Sequence, residues 1–137
     1  MTSPEHTTTR SPSVPVRGGL AVVLAVLANV VLVVGVDALG IAPAFRAVTI
    51  PPVAFLSALG AVGATVVYWL LGRYVSDANR MFVRIAAGVL LLSFVPDVAL
   101  LAIDPAATPL AVVVLMAMHV VVAAVSVLAL VYWRTEQ

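Results

Sequence analysis

The chain contains no cysteine among its 137 residues, and no lysine either. Without thiols there is no disulfide framework, no thiolate metal site and no thiol nucleophile to consider. Charge of both signs is scarce, with Asp, Glu, Lys and Arg together at 9% and a formal net charge of +1. No basic patch interleaved with aromatics occurs, so a nucleic-acid partner is not expected. Hydrocarbon fills the space instead: 64% of the residues are hydrophobic and the mean hydropathy is +1.20. That balance lies far outside the range of soluble domains and defines an integral membrane protein with the lipid bilayer as its main partner.

Residues 1–17, rich in Thr, Ser and Pro, lack apolar periodicity and read as a flexible tail. Four uncharged or nearly uncharged runs follow, at 18–36, 53–72, 81–103 and 110–133. The shortest of them, as a helix, rises about 28 Å, close to the roughly 30 Å of a bilayer's hydrocarbon core. The expected fold is all-α: a single transmembrane domain over 18–134, with four helices in an antiparallel bundle. Arg10, Arg17, Arg73, Arg80, Arg84 and Arg134 then fall on one side and only Arg46 on the other. The positive-inside bias puts both termini in the cytoplasm, and Tyr68, Trp69, Tyr74, Tyr132 and Trp133 gather at that same interface. A cleaved signal is not expected, because the first apolar run exceeds the usual 7 to 15 residues and Asp37 and Gly40 precede the small-residue "APA" at 42–44.

The longest connection, "DALGIAPAFRAVTIPP" at 37–52, carries three prolines that forbid a continuous helix. It reads either as a plain linker with Asp37 and Arg46 solvated, or as a lid over the outer mouth of the bundle. Helix association in lipid depends on small residues that permit close approach. The second run offers Ala54, Ser57, Ala58, Ala61, Ala64 and Thr65, with Gly60 and Ala64 as a small-xxx-small pair; the third offers Ala87 and Gly88, and the fourth Ala123 and Ala124. The same faces suit a homo-oligomer or a membrane partner protein.

Polar residues inside the spans carry the functional question. By helical rise, Asn29 lies about 10 Å, Asp97 about 9 Å and His119 about 13 Å below the outer boundary, so three side chains from three helices share one layer. A lone carboxylate at that depth is expensive unless it is protonated, hydrated or paired, and His119 and Asn29 are the partners the depths allow. Ser93 lies one turn below Asp97 and Ser126 two turns below His119. Pro96, lacking an N–H, is expected to loosen the turn before it, with Asp97 capping a helix that restarts there. The binding or proton-handling candidates are therefore Asp97, His119, Asn29, Ser93 and Ser126. One histidine with one carboxylate is too thin a set for a metal, and methionines beside His119 are ordinary packing residues rather than haem ligands, so no metal and no cofactor is expected. No Ser, Cys or Thr is placed as a nucleophile beside the Asp-His pair.

The third-span "VLLLSF" and above all the fourth-span "LMAMHVVVAAV", with Met118-His119 followed by Ala123 and Ala124, resemble a family of small bacterial membrane proteins known only as a domain of unknown function. The resemblance covers about residues 15 to 134. It implies four helices with both ends inside, a multi-pass plasma-membrane location and mainly actinobacterial hosts, and it brings no activity. Small multidrug-resistance transporters are a weaker comparison, since their glutamate sits in the first helix, where this chain has Asn29. The expected function is a non-enzymatic structural, accessory or sensing membrane protein with a buried polar cluster. A small proton-linked transporter and a membrane-embedded enzyme acting on a lipophilic substrate are the alternatives.

Overall fold

The computed structural model describes residues 12–133. Among them lie four long helices and no strand: α1 (Val14–Ala38), α2 (Ile50–Tyr74), α3 (Ala78–Ile103) and α4 (Pro109–Val127), the last prolonged by a π-helical turn over Leu128–Tyr132. All four are long and apolar enough to cross a membrane, the character of a multi-pass membrane protein.

Local chemistry explains where they begin and end. Pro15, Pro51 and Pro109 stand in the first turns of α1, α2 and α4, where a missing N–H costs nothing because the helix has no acceptor there. Thr108 caps α4 by accepting from the Ala111 amide at 3.2 Å, and Asp77 caps α3. α1 ends in a paired closure: the Gly40 amide donates to the Asp37 carbonyl and the Ile41 amide to Val36. That closure requires a left-handed residue, and Gly40 supplies it at φ +63°.

Two expectations are corrected here. The helix extends upstream of the expected Gly18 boundary and takes in Val14 to Arg17, because Pro15 suits a first turn and Arg17 reaches the Leu130 carbonyl. Residues 1–11 of the expected tail lie outside the described residues. α3 also runs unbroken through Pro96, so Asp97 caps no restarted segment. A proline removes one ladder bond, but the bonded turns on either side carry the helix across it.

The helices form a ring in the order α2, α1, α4, α3. α1 packs chiefly on α2 and α3 on α4, a seam joins α1 to α4, and the α2–α3 side is the loosest of the four. α1 presents Gly18, Ala21, Ala25, Asn29 and Val33 as one buried stripe at spacings of three and four. Facing it, α2 buries Val53, Ser57, Ala61 and Tyr68. The approach is closest at Gly18, where an added Cβ would run into the Thr65 side chain, its Cγ2 first. Of the small residues expected to mediate packing, Ser57 and Ala61 do so, whereas Ala87, Gly88 and Ala124 are exposed.

Both ends of the ring are filled. The connection after α1 turns Phe45 and Val48 into a core with Val33, Val53, Ala111, Leu115 and Met118, while Asp37 and Arg46 stay exposed. It is thus a plug, with its two charges outside. At the opposite end Tyr68, Phe82, Leu130 and Val131 cluster, and the Tyr68 hydroxyl donates to Asn79 Oδ1 at 2.8 Å. Arg17 closes this end, donating from Nη1 to the Leu130 carbonyl at 2.6 Å with its guanidinium 5.5 Å from the Tyr68 ring centre.

Candidate functional site

The loose α2–α3 side opens into a crevice of about 360 Å³. Gly60, Gly63, Ala64 and Val67 form its α2 wall; Phe82, Ala86, Val89 and Ser93 are among the α3 residues opposite, and α4 lies behind. Its rim includes Leu56, 56% exposed, and Val89, 60% exposed, so the crevice faces sideways from the bundle rather than along its axis. The small stripe of α2 is what makes room. Gly60 approaches Val122 of α4, but a Cβ on Gly63 would meet nothing within 4 Å.

The crevice is apolar except at Asn29, Ser57, Ser93, His119 and Ser126. Asn29, 1% exposed, is the only α1 residue that reaches it. Its Nδ2 donates to Ser57 Oγ at 2.8 Å and to the Met118 carbonyl at 3.2 Å, so one side chain ties α1 to both α2 and α4. The Met118 carbonyl can only accept, which fixes the amide orientation and leaves Oδ1 as the remaining atom. That oxygen is buried and has no hydrogen-bond partner among the described residues.

Asp97 and His119 stand side by side. His119 Nδ1 lies 3.1 Å from Asp97 Oδ2, linking α4 to α3. The ring nitrogen is nevertheless better aligned on the Leu115 carbonyl of its own helix, at 2.9 Å, and Asp97 Oδ2 has no directed hydrogen bond among the described residues. The contact is an electrostatic neighbour rather than a full clasp. Asp97 is 4% exposed and does not line the crevice, whereas the His119 ring does. Asn29 shares the layer but spends its amide on Ser57 and Met118, with no hydrogen bond to Asp97.

The two serines differ. Ser93 Oγ donates to the Leu90 carbonyl at 2.6 Å, and Ser126, 2% exposed, has a hydroxyl with no partner among the described residues. Sequence reasoning missed Ser57 as a hydrogen-bond partner and treated it only as small. The available signal was depth: it lies four residues into α2 from Val53, which places it near the Asn29 layer.

The arrangement defines a class: a bundle of four membrane-length helices with a lateral, polar-floored crevice. The chain belongs to a family of unknown function, DUF6069, whose model matches residues 9–136. No curated protein and no solved structure matches it.

Proposed function

We propose that this is a multi-pass protein of the bacterial plasma membrane, with antiparallel helices and both termini cytoplasmic, that holds a lipophilic small molecule in the α2–α3 crevice. It acts without covalent chemistry, as an accessory or sensing component of the membrane. The observation that carries this reading is the crevice: about 360 Å³ of largely apolar space with five polar side chains in its lining, the usual character of a small-molecule site. Sidedness rests on the six arginines gathered at one end of the spans.

The alternatives find less support. An Asp-His pair becomes a hydrolytic centre only with a nucleophile within hydrogen-bond reach of its base. Ser126 stands seven residues from His119, about 10 Å along the helix, and the Ser93 hydroxyl is committed to Leu90. A proton-linked transporter needs a polar path towards the Arg17 end. There the Thr65 hydroxyl is turned to the Ala61 carbonyl, and Tyr68, Phe82, Leu130 and Val131 fill the interior.

Gly63→Leu tests the reading, because the new side chain enters open space without a backbone clash and improves helix propensity. In vesicles, hexadecanol carrying a mid-chain diazirine should crosslink to crevice residues of α2 and α3 in the wild type, and this labelling should fall at least about tenfold in the variant. Labelling spread evenly over all outward faces, and indifferent to Gly63→Leu, would refute the site.

A further inference from the structure

The outward face of α3, away from the crevice, carries two arginines that nothing described in the bundle answers. We infer that Arg80 and Arg84 hold the phosphodiester of an anionic phospholipid, whose acyl chains lie along the same face of α3.

Helix geometry sets the placement. Phe82, Ile85, Ala86 and Val89 turn towards the crevice. At 3.6 residues per turn, positions 80 and 84 fall on the opposite side, one turn apart on one face, and both are exposed. Neither guanidinium makes an ion pair or a hydrogen bond among the described residues. The first turn of α3 has no acid, and Asp77 before it is turned to the Arg80 amide as a cap. Two like charges four residues apart repel, and the positive end of the helix dipole adds to that repulsion. One anion between them removes both costs, and guanidinium meets phosphate with two parallel hydrogen bonds.

Depth is the second, independent observation. α3 has 26 residues and is about 39 Å long against roughly 30 Å of hydrocarbon, so about 4 to 5 Å projects at each end of a centred helix. Arg80 then stands among the head groups, while the Arg84 backbone lies about 4 to 5 Å inside the hydrocarbon edge. A charge there is costly unless its side chain reaches the interface. Helical side chains lean towards the N-terminus, so Arg84 leans towards Arg80 and the phosphate layer. Trp69, 44% exposed near the end of α2 with the Arg73 guanidinium 4.3 Å from its ring centre, marks the interface at this end.

Beyond the pair the face suits acyl chains. Ala87 and Gly88 are exposed and small, and a Cβ on Gly88 would meet nothing within 4 Å, so a shallow step lies under Arg84. Leu91, Leu92 and Val95 follow, each about two-thirds exposed. The continuity of the two cations with this apolar strip selects a lipid over a soluble anion. A zwitterionic lipid offers the same phosphodiester but brings its own cation to the arginines, so a net-anionic head group is preferred.

The test uses phosphatidylglycerol and phosphatidylcholine with a diazirine at the same acyl position, each in trace in neutral phospholipid vesicles holding the full chain. Crosslinks to residues 84–95 are counted by mass spectrometry. In the wild type phosphatidylglycerol should label this segment about tenfold more than phosphatidylcholine, and Arg80→Gln/Arg84→Gln should abolish the preference. Glutamine matches arginine in helix propensity, and unchanged labelling by phosphatidylcholine reports that the α3 face is intact. Arg73→Gln removes one charge from the same end, from a guanidinium already stacked on Trp69, and should leave the preference within about twofold. A loss in Arg73→Gln as large as in the double variant would mean a diffuse potential and overturn the site. Equal labelling by the two lipids in the wild type would overturn it as well. Displacement of phosphatidylglycerol by inorganic phosphate would reassign the arginines to a soluble anion.

Discussion

His119 Nδ1 lies 2.9 Å from the Leu115 carbonyl and 3.1 Å from Asp97 Oδ2, so a single ring nitrogen is shared between its own helix and the neighbouring one. The division decides how much the pair can do for the fold. A proton directed at Leu115 stabilises α4 locally, and Asp97 receives mainly the residual electrostatic attraction.

A double-mutant cycle with Asp97→Asn and His119→Ala should therefore give a coupling energy below about 1 kcal/mol in detergent unfolding, near the typical value for polar contacts between membrane helices. A coupling above about 2 kcal/mol would show that the two residues clasp α3 to α4.

Asn29 should matter more than either. Asn29→Ala removes two interhelical bonds at once and is expected to cost about 1 to 2 kcal/mol. Ser57→Ala removes one and leaves the Met118 bond, so its loss should be about half as large. Thermal unfolding of the two purified variants measures the difference, and equal losses would mean that Met118 contributes nothing.

Gly18→Ala places a methyl group against Thr65, whose hydroxyl is held by the Ala61 carbonyl and is not free to swing away. A loss of about 1 to 3 kcal/mol is expected. Adding Thr65→Ala should recover part of it, a non-additivity that a purely helix-propensity effect would not produce.

Phe45 tests the plug. Phe45→Ala should lower the unfolding temperature and cost about 3 kcal/mol, because it empties a closed core position. Arg46→Ala, one residue on but exposed, should change stability by less than about 0.5 kcal/mol. Similar effects from both would mean the loop is not packed.

The four spans were legible because lipid imposes a length and a composition that few other environments demand. Counting helical rise put Asp97 and His119 in one layer, and the structure shows them in contact. The crevice did not follow, because a stripe such as Gly60-Gly63-Ala64 is the same signal whether a neighbouring helix closes on it or stands away. The depths of Asn29 and Asp97 likewise matched, yet depth says nothing of the angle around a helix, and Asn29 faces Ser57 instead. The tight stripe of α1, Gly18-Ala21-Ala25, was present in the sequence at spacings of three and four but went unread against the larger count of small residues in α2. Phe45 could be read as lid or linker, since burial of a loop side chain depends on a three-dimensional closure that local pattern does not encode.

Arg17 and Leu130 are 113 residues apart in the chain, yet a hydrogen bond joins them at the end of the ring. Arg17 is made before Leu130, so this bond cannot form until α4 has followed α1, α2 and α3 out of the ribosome. α2 and α3, joined through the turn at 75–77, are neighbours well before that. The crevice between them gains its back wall, with Met118, His119 and Val122, only when α4 arrives, so the site is complete no earlier than the ring itself.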